Sequence, residues 1–385
     1  MASYDFLIVG AGIVGAALGY RLAALGRVAI LEMEAQPGYH ATGRSTATFV
    51  ETYGGRAAHL LTVASRAFLE NPPADFSDTP LLTPRGNLRF AHPAQRALLE
   101  QTLAACGPRI PDLEIISQQA ALALCPCLRP ELVDSALYEP RAADMDVHAI
   151  HQGYLRAARA QGAEIYLQTP LEHIEGTGGD SLRGRQSGRN WIIRTKNQII
   201  EASWLINAAG AWADDIARLA GVQPVGIVPK RRTVVTFSPP ADMKADQWPL
   251  VRDAEESFYF KPFAGDILVT PADQTPLPPC DTQPEELEIA LALERMKAAT
   301  GISPPRLSSR WAGLRSFTAD ERPAIGHATD HPHFFWAAGL GGYGIQTSPA
   351  IGMIAARLLA GTPLPATSEA DLTSLIPEIA PARFS

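Results

Sequence analysis

The stretch LIVGAGIVGAALGYRLA, residues 7–23, decides the fold of this chain. Its apolar start is typical of a buried strand and its second half of a helix, and a tight glycine turn joins them. The turn has the pattern G-x-G-x-x-G. Its first glycine permits the turn, its second lets a pyrophosphate approach the backbone, and its third lets the helix pack on the strand. We therefore predict a Rossmann-like dinucleotide site formed by Gly10, Gly12, Ile13 and Gly15.

A second strand, RVAILE (27–32), completes a β-α-β unit. It ends at Glu32, the position from which an acidic side chain accepts a hydrogen bond from a ribose hydroxyl. The small and hydroxyl-bearing residues that follow at 37–45 suit a pyrophosphate and the edge of a cofactor ring. In this run we expect cofactor contacts from Gly43, Arg44 and Ser45.

Two later segments repeat the strand-glycine-helix plan, WLINAAGAWADDIARLAG (204–221) and HFFWAAGLGGYGIQTSPAIGMIAARLLAG (333–361). The last is expected to form a helix that ends near Leu359 and carries Pro349 in its first turn, where a missing N–H costs little. A nicotinamide enzyme needs only one such unit, so three of them along the chain favour an extended FAD. The remaining expected cofactor contacts are Leu171, Ala209, Gly210, Trp212, Gly341, Gly342, Tyr343, Gly344, Ile345, Gln346 and Thr347.

The segments between these units look different. One is rich in proline and short helices, and another has the alternation of an antiparallel sheet. We predict an α/β protein with a discontinuous Rossmann-like FAD-binding domain (1–47, 145–220 and 321–385) and an α+β substrate-binding domain on an antiparallel sheet (48–144 and 221–320). The glycine-rich run at 176–190 is expected to be a hairpin tip or an insertion.

Composition narrows the possible partners. The net charge of −7 argues against nucleic acid. The four cysteines lack paired CxxC spacing, which predicts reduced thiols in a cytoplasmic protein and no metal ion. His148 and His151 share a predicted helix, and helix packing explains them better than a metal. No apolar run approaches the roughly 20 residues that cross a bilayer, so we expect no transmembrane segment, while peripheral membrane contact stays open.

Several motifs resemble the D-amino-acid oxidase and glycine oxidase family of FAD enzymes, and within it the D-arginine dehydrogenase branch. They include EAQPGYHATGRS, HQGYLRAA, NAAGAWAD, PKRR, ESFYFKP, WAGLRSF and GGYGIQTS. The resemblance runs almost from end to end. It implies hydride transfer from the Cα of an amine to flavin N5, giving an imine that hydrolyses to a keto acid and ammonia. Some branches bind flavin covalently through a cysteine near LRSFTADERPAIG, and since none stands there we expect noncovalent FAD.

The resemblance also assigns roles to individual residues. Arg232 and Arg315 match the arginines that clamp the substrate carboxylate, and Tyr259 matches a tyrosine that adds a hydrogen bond to it. Tyr53 matches a tyrosine on the mobile loop over the site, and Gly342 matches the glycine whose carbonyl faces the substrate amine. Chemically the set is coherent, because guanidinium forks suit carboxylates and a carbonyl accepts from an amine.

The chain departs from the D-arginine branch in the expected side-chain pocket. Asn87 replaces a glutamate that reads the guanidinium, Thr48 replaces a histidine and Val50 replaces a threonine. Loss of the glutamate predicts neutral or apolar D-amino acids in preference to D-arginine. Two residues leave this open: Arg89 would favour acidic substrates if it faced the pocket, and Glu51 would restore the missing acid.

The leading hypothesis is therefore an FAD-dependent D-amino-acid dehydrogenase that passes electrons to a carrier such as a quinone. An oxygen-using D-amino-acid or glycine oxidase is the nearest alternative. A dehydrogenase of 2-hydroxy acids or secondary amines would use the same carboxylate clamp. A flavin-binding regulatory protein without turnover is disfavoured by Arg232, Arg315 and Tyr259.

Overall fold

The computed structural model describes residues 2–176, 190–241, 243–304, 306–365 and 372–384. Its strands are β1 (Ala2–Val9), β2 (Val28–Leu31), β3 (Thr48–Phe49), β4 (Leu82–Pro84), β5 (Asn87–Ala91), β6 (Glu114–Ser117), β7 (Ser135–Glu139), β8 (Ala143–Met145), β9 (Glu164–Tyr166), β10 (Leu171–Gly176), β11 (Trp191–Thr195), β12 (Ile199–Asn207), β13 (Val228–Phe237), β14 (Leu250–Asp253), β15 (Tyr259–Phe263), β16 (Asp266–Thr270), β17 (Ser309–Phe317), β18 (Ala324–His327) and β19 (Phe334–Ala338). Its helices are α1 (Ile13–Leu22), α2 (Arg56–Glu70), α3 (Arg96–Cys106), α4 (Gln118–Leu124), α5 (Val147–Ala160), α6 (Ala213–Leu219), α7 (Glu286–Thr300), α8 (Gly344–Leu359) and α9 (Leu372–Ile379).

The first sheet is built on parallel strands. Strands β9, β2, β1, β12 and β19 lie side by side and run in the same direction. Strand β18 is antiparallel to β19, β11 is antiparallel to β12, and β10 is antiparallel to β11. Both faces are covered: Phe6 and Ile8 of β1 pack into one apolar cluster, and Leu7 and Val9 pack into another. This explains the uninterrupted apolar run at the start of the deciding stretch.

The second sheet is largely antiparallel, in the order β17-β13-β16-β15-β14-β5-β7-β6. Only the β14–β5 pair among these neighbours is parallel. A small third sheet has the order β3-β8-β4. The mixed α/β fold is as predicted. The first sheet's strands fall in the segments expected to bind FAD and the second sheet's strands fall in the other two, but the domain boundaries themselves stay a prediction.

Local predictions in the deciding stretch succeeded to within a few residues. The helix expected in the second half of 7–23 is α1, which begins at Ile13. The strand expected at the start of the 333–361 segment is β19. Strands β10 and β11 flank the expected hairpin tip and pair antiparallel, while residues 177–189 of that tip lie outside the described part of the chain.

The position of Pro349 needs correction. Because α8 begins at Gly344, Pro349 lies in its second turn and not in its first. Proline cannot donate to the carbonyl of Ile345, and the hydroxyl of Ser348 donates to that carbonyl instead, at 2.9 Å. A neighbouring side chain thus supplies the missing hydrogen bond inside the helix.

Candidate active site

One cavity of about 800 Å³ runs from the carboxyl ends of the parallel strands to the second sheet. Val9, Leu31 and Gly339 border it where β1, β2 and β19 end. Open α/β sheets bind ligands at this edge, since helix N-termini and loops converge there. The cavity continues across β13, β14, β15 and β17, so one space joins the glycine turn to the arginines of the second sheet.

The glycine turn has the geometry that a phosphate site requires. Gly10 has φ +100°, and a Cβ there would lie 2.6 Å from the carbonyl oxygen of Ala208. A Cβ on Gly15 would lie 1.9 Å from the carbonyl oxygen of Gly10. At Gly12 the nearest atom would be 3.4 Å away, so its backbone is open to an incoming group. The N-terminus of α1 follows directly, where anions are stabilised.

Glu32 shapes this end of the cavity. Its carboxylate accepts hydrogen bonds from the backbone N–H of Ala11 at 2.9 Å and of Glu34 at 3.0 Å. Each oxygen keeps a further lone pair, so a ribose hydroxyl fits as an additional donor. His151, although predicted to pack between helices, contacts the carbonyl of Ala11 through Nε2 at 2.8 Å, and burial lowers its pKa. Both side chains therefore hold the glycine turn in place.

Side chains of residues 37–45 contact both the glycine turn and the second sheet. Thr42 accepts a hydrogen bond from the N–H of Ile13 at 3.0 Å. Arg44 donates to the carbonyls of Thr282 and Ala312 and forms an ion pair with Asp281. The guanidinium of Arg44 is thereby occupied by the protein itself, although the residue lines the cavity.

Most residues expected to contact the cofactor line the cavity. They are Gly10, Gly12, Ile13, Glu32, Arg44, Ser45, Leu171, Ala209, Gly210, Trp212, Gly341, Gly342, Tyr343, Gly344, Ile345 and Gln346. Gly15, Gly43 and Thr347 do not line it. Gly43 and Thr347 hold their own segments instead. The N–H of Gly43 donates to the carbonyl of Gly38 at 2.7 Å, and the hydroxyl of Thr347 donates to the carbonyl of Tyr343 at 2.8 Å.

Arg232 and Arg315 come from neighbouring antiparallel strands. Arg232 of β13 pairs in register with Gly313 of β17, two residues before Arg315. The two arginines are diagonal neighbours on one face, within reach of a shared ligand. The Nε of Arg232 donates to the carbonyl of Asp273 at 2.9 Å, which fixes the side chain and leaves its terminal nitrogens for the cavity.

Two tyrosines complete this end of the cavity. Tyr53 Oη accepts a 2.9 Å hydrogen bond from Nη1 of Arg315, and Tyr259 Oη lies 2.8 Å from Oγ1 of Thr46. Burial raises the pKa of Tyr53, but the positive fields of Arg315 and Arg232 outweigh it and leave that pKa below its ordinary value. Burial, followed by repulsion from Arg315, lowers the pKa of Arg232 to about 10, so it stays charged at neutral pH.

Gly342 is required where it stands. It has φ +94°, and a Cβ there would lie 2.6 Å from Nε of Arg315. The glycine loop before α8 therefore lies directly against Arg315. The loop also contacts this strand through the N–H of Gly341, which donates to the carbonyl of Ser316 at 2.8 Å.

Asn87 and Arg89 need correction, because neither lines the cavity. The cavity ends at β14, and both residues stand on β5, one strand farther out. The amide nitrogen of Asn87 lies 3.3 Å from Oε2 of the buried Glu139. Arg89 donates to the carbonyl of Ala254 at 3.0 Å through Nε and to Thr102 at 2.9 Å through Nη1.

Thr48 and Val50 do line the cavity, as expected. Glu51 does not, because it forms a buried ion pair with Arg66, whose Nε donates to Oε1 at 3.0 Å. The carboxylate of Glu51 is thus already neutralised and cannot replace the acid missing from the D-arginine branch.

Arg252 is a cavity residue that the sequence analysis missed. It stands on β14, is 3% exposed, and borders the same cavity as Arg232 and Arg315. The alternation LVRD puts Leu250 and Arg252 on one face. That signal alone does not say which face meets the cavity, since β14 is positioned by parallel pairing with the distant β5.

The family model described as DAO, FAD dependent oxidoreductase, matches residues 5–358. The chain belongs to this family. The α/β fold and the FAD cofactor predicted from the sequence are thereby confirmed.

Individual relatives of this DAO-family oxidoreductase are distant. Glycine oxidase of Bacillus licheniformis is 24% identical, and the alignment covers 94% of each chain. Human mitochondrial dimethylglycine dehydrogenase is 24% identical over 69% of this chain but only 30% of its own length, so the chain spans under a third of that relative. Among solved structures, L-proline dehydrogenase from P. horikoshii has a TM-score of 0.83 at 20% identity, covering 100% of this chain and 98% of that one. Glycine oxidase from Geobacillus kaustophilus has a TM-score of 0.80 at 21% identity, covering 99% and 98%. At these identities the structures show a shared fold.

The residues of the DAO-family chain fit FAD. An open backbone at Gly12, the N-terminus of α1 and the Glu32 carboxylate suit the dinucleotide, and the α8 N-terminus at Gly344 faces the far part of the cavity. No cysteine lies in 313–326, as the sequence analysis noted, but Cys280 borders the cavity. Noncovalent attachment therefore stays a prediction.

Within the described residues, no helix combines the length and apolar character needed to cross a membrane. Across the same ranges, no group of three or more histidine, cysteine, aspartate or glutamate side chains is arranged to hold a metal ion.

Proposed function

We propose that this protein is a D-amino-acid dehydrogenase that oxidises its substrate to a 2-keto acid and ammonia. The observation that carries the proposal is the pair of arginines on neighbouring strands, Arg232 and Arg315, in the cavity that leads to the glycine turn, with Arg315 against Gly342. Two adjacent guanidiniums suit an α-carboxylate, which they bind in a two-point fork.

The chain's own residues do the binding and positioning. Arg232 and Arg315 hold the carboxylate, while Tyr53 and Tyr259 supply phenols beside it. The carbonyl of Gly342 is proposed to accept from the substrate amine. FAD, when bound, supplies a hydride acceptor for the Cα hydrogen, and the imino acid then hydrolyses with water. Fixed orientation of Cα contributes much of the rate in such a reaction.

The substrate side chain expected from the sequence has to be revised. The preference for neutral or apolar substrates rested on Asn87, which lies outside the cavity. Exclusion of D-arginine is still proposed, because the cavity contains a third guanidinium, Arg252, that repels a cationic side chain. The D configuration rests on the resemblance to the D-arginine dehydrogenase branch.

Electron transfer to a quinone or similar carrier is likewise proposed from that resemblance. A cytoplasmic location is proposed from the cysteine spacing, and peripheral membrane contact stays open. An oxygen-using oxidase is the second candidate, because the glycine oxidase of Bacillus licheniformis aligns along 94% of this chain. The two candidates share the clamp and differ in what reoxidises the flavin.

Anaerobic mixing with D- and L-amino acids, 2-hydroxy acids and secondary amines tests the proposal through flavin absorbance. We expect bleaching by D-amino acids and little by D-arginine. After air is admitted, persistent bleaching identifies a dehydrogenase and rapid return of colour an oxidase. Bleaching by hydroxy acids or secondary amines alone would contradict the proposed substrate class.

A further inference from the structure

Arg252 is buried but incompletely partnered. Its Nη1 donates to Oε1 of Glu256 at 3.0 Å and its Nη2 donates to Oγ1 of Thr52 at 2.9 Å. Its Nε has no hydrogen-bond partner among the described residues. A guanidinium has five N–H donors, so the protein satisfies only part of this one. A buried charged donor without a partner is costly, and the residue that carries it borders the cavity.

The countercharge at Arg252 is shared. Glu256 also lies 3.9 Å from Nη1 of Arg89, so one carboxylate faces two guanidiniums. Glu139 accepts four hydrogen bonds nearby, and burial raises its pKa. Glu51 is neutralised by Arg66. Glu255 and Glu256 border the cavity on this side together with Arg252.

Arg252 and the carboxylate clamp are separated by one aromatic ring. The hydroxyl of Tyr53 contacts Arg315, while the guanidinium of Arg252 lies over the same ring, 5.9 Å from its centre. The adjoining wall is apolar, formed by Val50 and Leu250 packed with Tyr53. Such a path suits a short run of methylenes that carries a charged group at each end.

We infer that Arg252 binds a second carboxylate, at the end of the substrate side chain, and so selects acidic D-amino acids. The inference rests on the proposed function and specifies its substrate class. Arg232 and Arg315 take the α-carboxylate, the methylenes lie along the apolar wall, and Arg252 donates to the distal carboxylate. Glu256 keeps Arg252 in place and Thr52 supports it from behind.

The experiment compares side chains of similar length on the FAD-loaded enzyme under anaerobic conditions: D-glutamate, D-glutamine and D-norvaline. We expect flavin reduction at low substrate concentration to be about 10-fold or more faster with D-glutamate, the ratio expected for one charge-assisted hydrogen bond. D-aspartate tests the shorter spacing. Equal rates with D-glutamate and D-glutamine would show that the distal charge is not recognised, and would overturn the assignment of a carboxylate.

Arg252→Met keeps the side-chain volume but removes the charge. We expect it to lower the ratio of the D-glutamate rate to the D-norvaline rate by about 10-fold or more, mainly through a raised KM for D-glutamate. Arg89→Met is the matched control, since Arg89 pairs with Arg252 in register and contacts the same Glu256 but lies outside the cavity. It should leave the preference unchanged.

A measurement on the unaltered enzyme removes dependence on the folding of variants. Glutarate and butyrate are titrated as nonreacting ligands, with the flavin spectrum as readout. Tighter binding of glutarate supports Arg252 even if no amino acid reduces the flavin, in which case only the proposed function fails. Reduction by D-norvaline, with no advantage for D-glutamate or glutarate, would overturn the role of Arg252 and leave the proposed function standing.

Discussion

The guanidinium of Arg315 donates a 2.9 Å hydrogen bond to the phenolic oxygen of Tyr53. This contact joins the second sheet to the segment after β3, and it lies at the centre of the cavity's cationic end. A carboxylate entering the site meets a cation whose position is already set by a neutral acceptor. Such preorganisation reduces the ordering cost of binding.

The first prediction concerns two adjacent arginines with different roles. Arg232→Met should lower kcat/KM for D-amino acids by about 10²-fold or more, because truncating a buried charged hydrogen-bonding partner costs about 2–5 kcal/mol. Flavin content should stay normal. Arg231→Met is the control: Arg231 is buried in ion pairs with Asp273, Glu285 and Glu288, so its loss should lower the melting temperature and spare the KM of the folded fraction. Similar KM values for both variants would argue against the clamp.

The second prediction concerns Gly342. A Cβ here meets Arg315 and the backbone is left-handed, so Gly342→Ala should weaken substrate binding by about 10-fold or more at a strain of about 1–3 kcal/mol. Gly361→Ala has the same kind of backbone, φ +63°, but a Cβ there meets nothing within 4 Å. Binding titrations should separate the two variants. Equal substrate affinity in both would show that contact with Arg315 is unimportant.

The third prediction concerns FAD binding. Gly10→Ala places a Cβ 2.6 Å from the carbonyl oxygen of Ala208, at φ +100°. The purified variant should carry little flavin, measured as the ratio of absorbance at flavin and protein wavelengths. Gly226→Ala shares a left-handed backbone, φ +79°, in open space and should retain flavin. Full flavin content in Gly10→Ala would contradict the assigned phosphate turn.

The fourth prediction is a pH dependence. The pKa of Tyr53 is lowered, so its phenolate forms below the usual pH for tyrosine and repels a carboxylate. The pKa of Arg232, about 10, adds loss of a positive charge in the same direction. Affinity for an anionic ligand should therefore fall as pH rises toward 10. In Tyr53→Phe the decline should begin at higher pH, whereas Tyr138→Phe, outside the cavity, should follow the unaltered enzyme. An unchanged profile in Tyr53→Phe would assign the decline to other groups.

The features predicted well from sequence are those set by neighbours in the chain. Gly15 is required by a steric contact within one β-α-β unit, with the carbonyl oxygen of Gly10, and the apolar run at 334–338 forms β19. The motifs around Arg232 and Arg315 predicted that both residues belong to the site, and the antiparallel pairing of their strands brings the two together.

The features that sequence reasoning missed depend on distant pairing. Asn87 and Arg89 do share the face expected from alternation, but the parallel contact of β5 with β14 leaves them one strand beyond the cavity. The same contact brings Arg252 to its edge. The position of Glu51 stayed open for a similar reason, because its partner Arg66 lies on α2 and no local sequence pattern predicts the pair.

The most direct test of the central claim is the anaerobic reduction of the bound flavin in the unaltered protein and in Arg232→Met, with D-amino acids as reductants. We predict rapid bleaching in the unaltered protein and a loss of about 10²-fold or more at low substrate concentration in the variant. Absence of bleaching by any D-amino acid, or equal bleaching in Arg232→Met, would contradict the account.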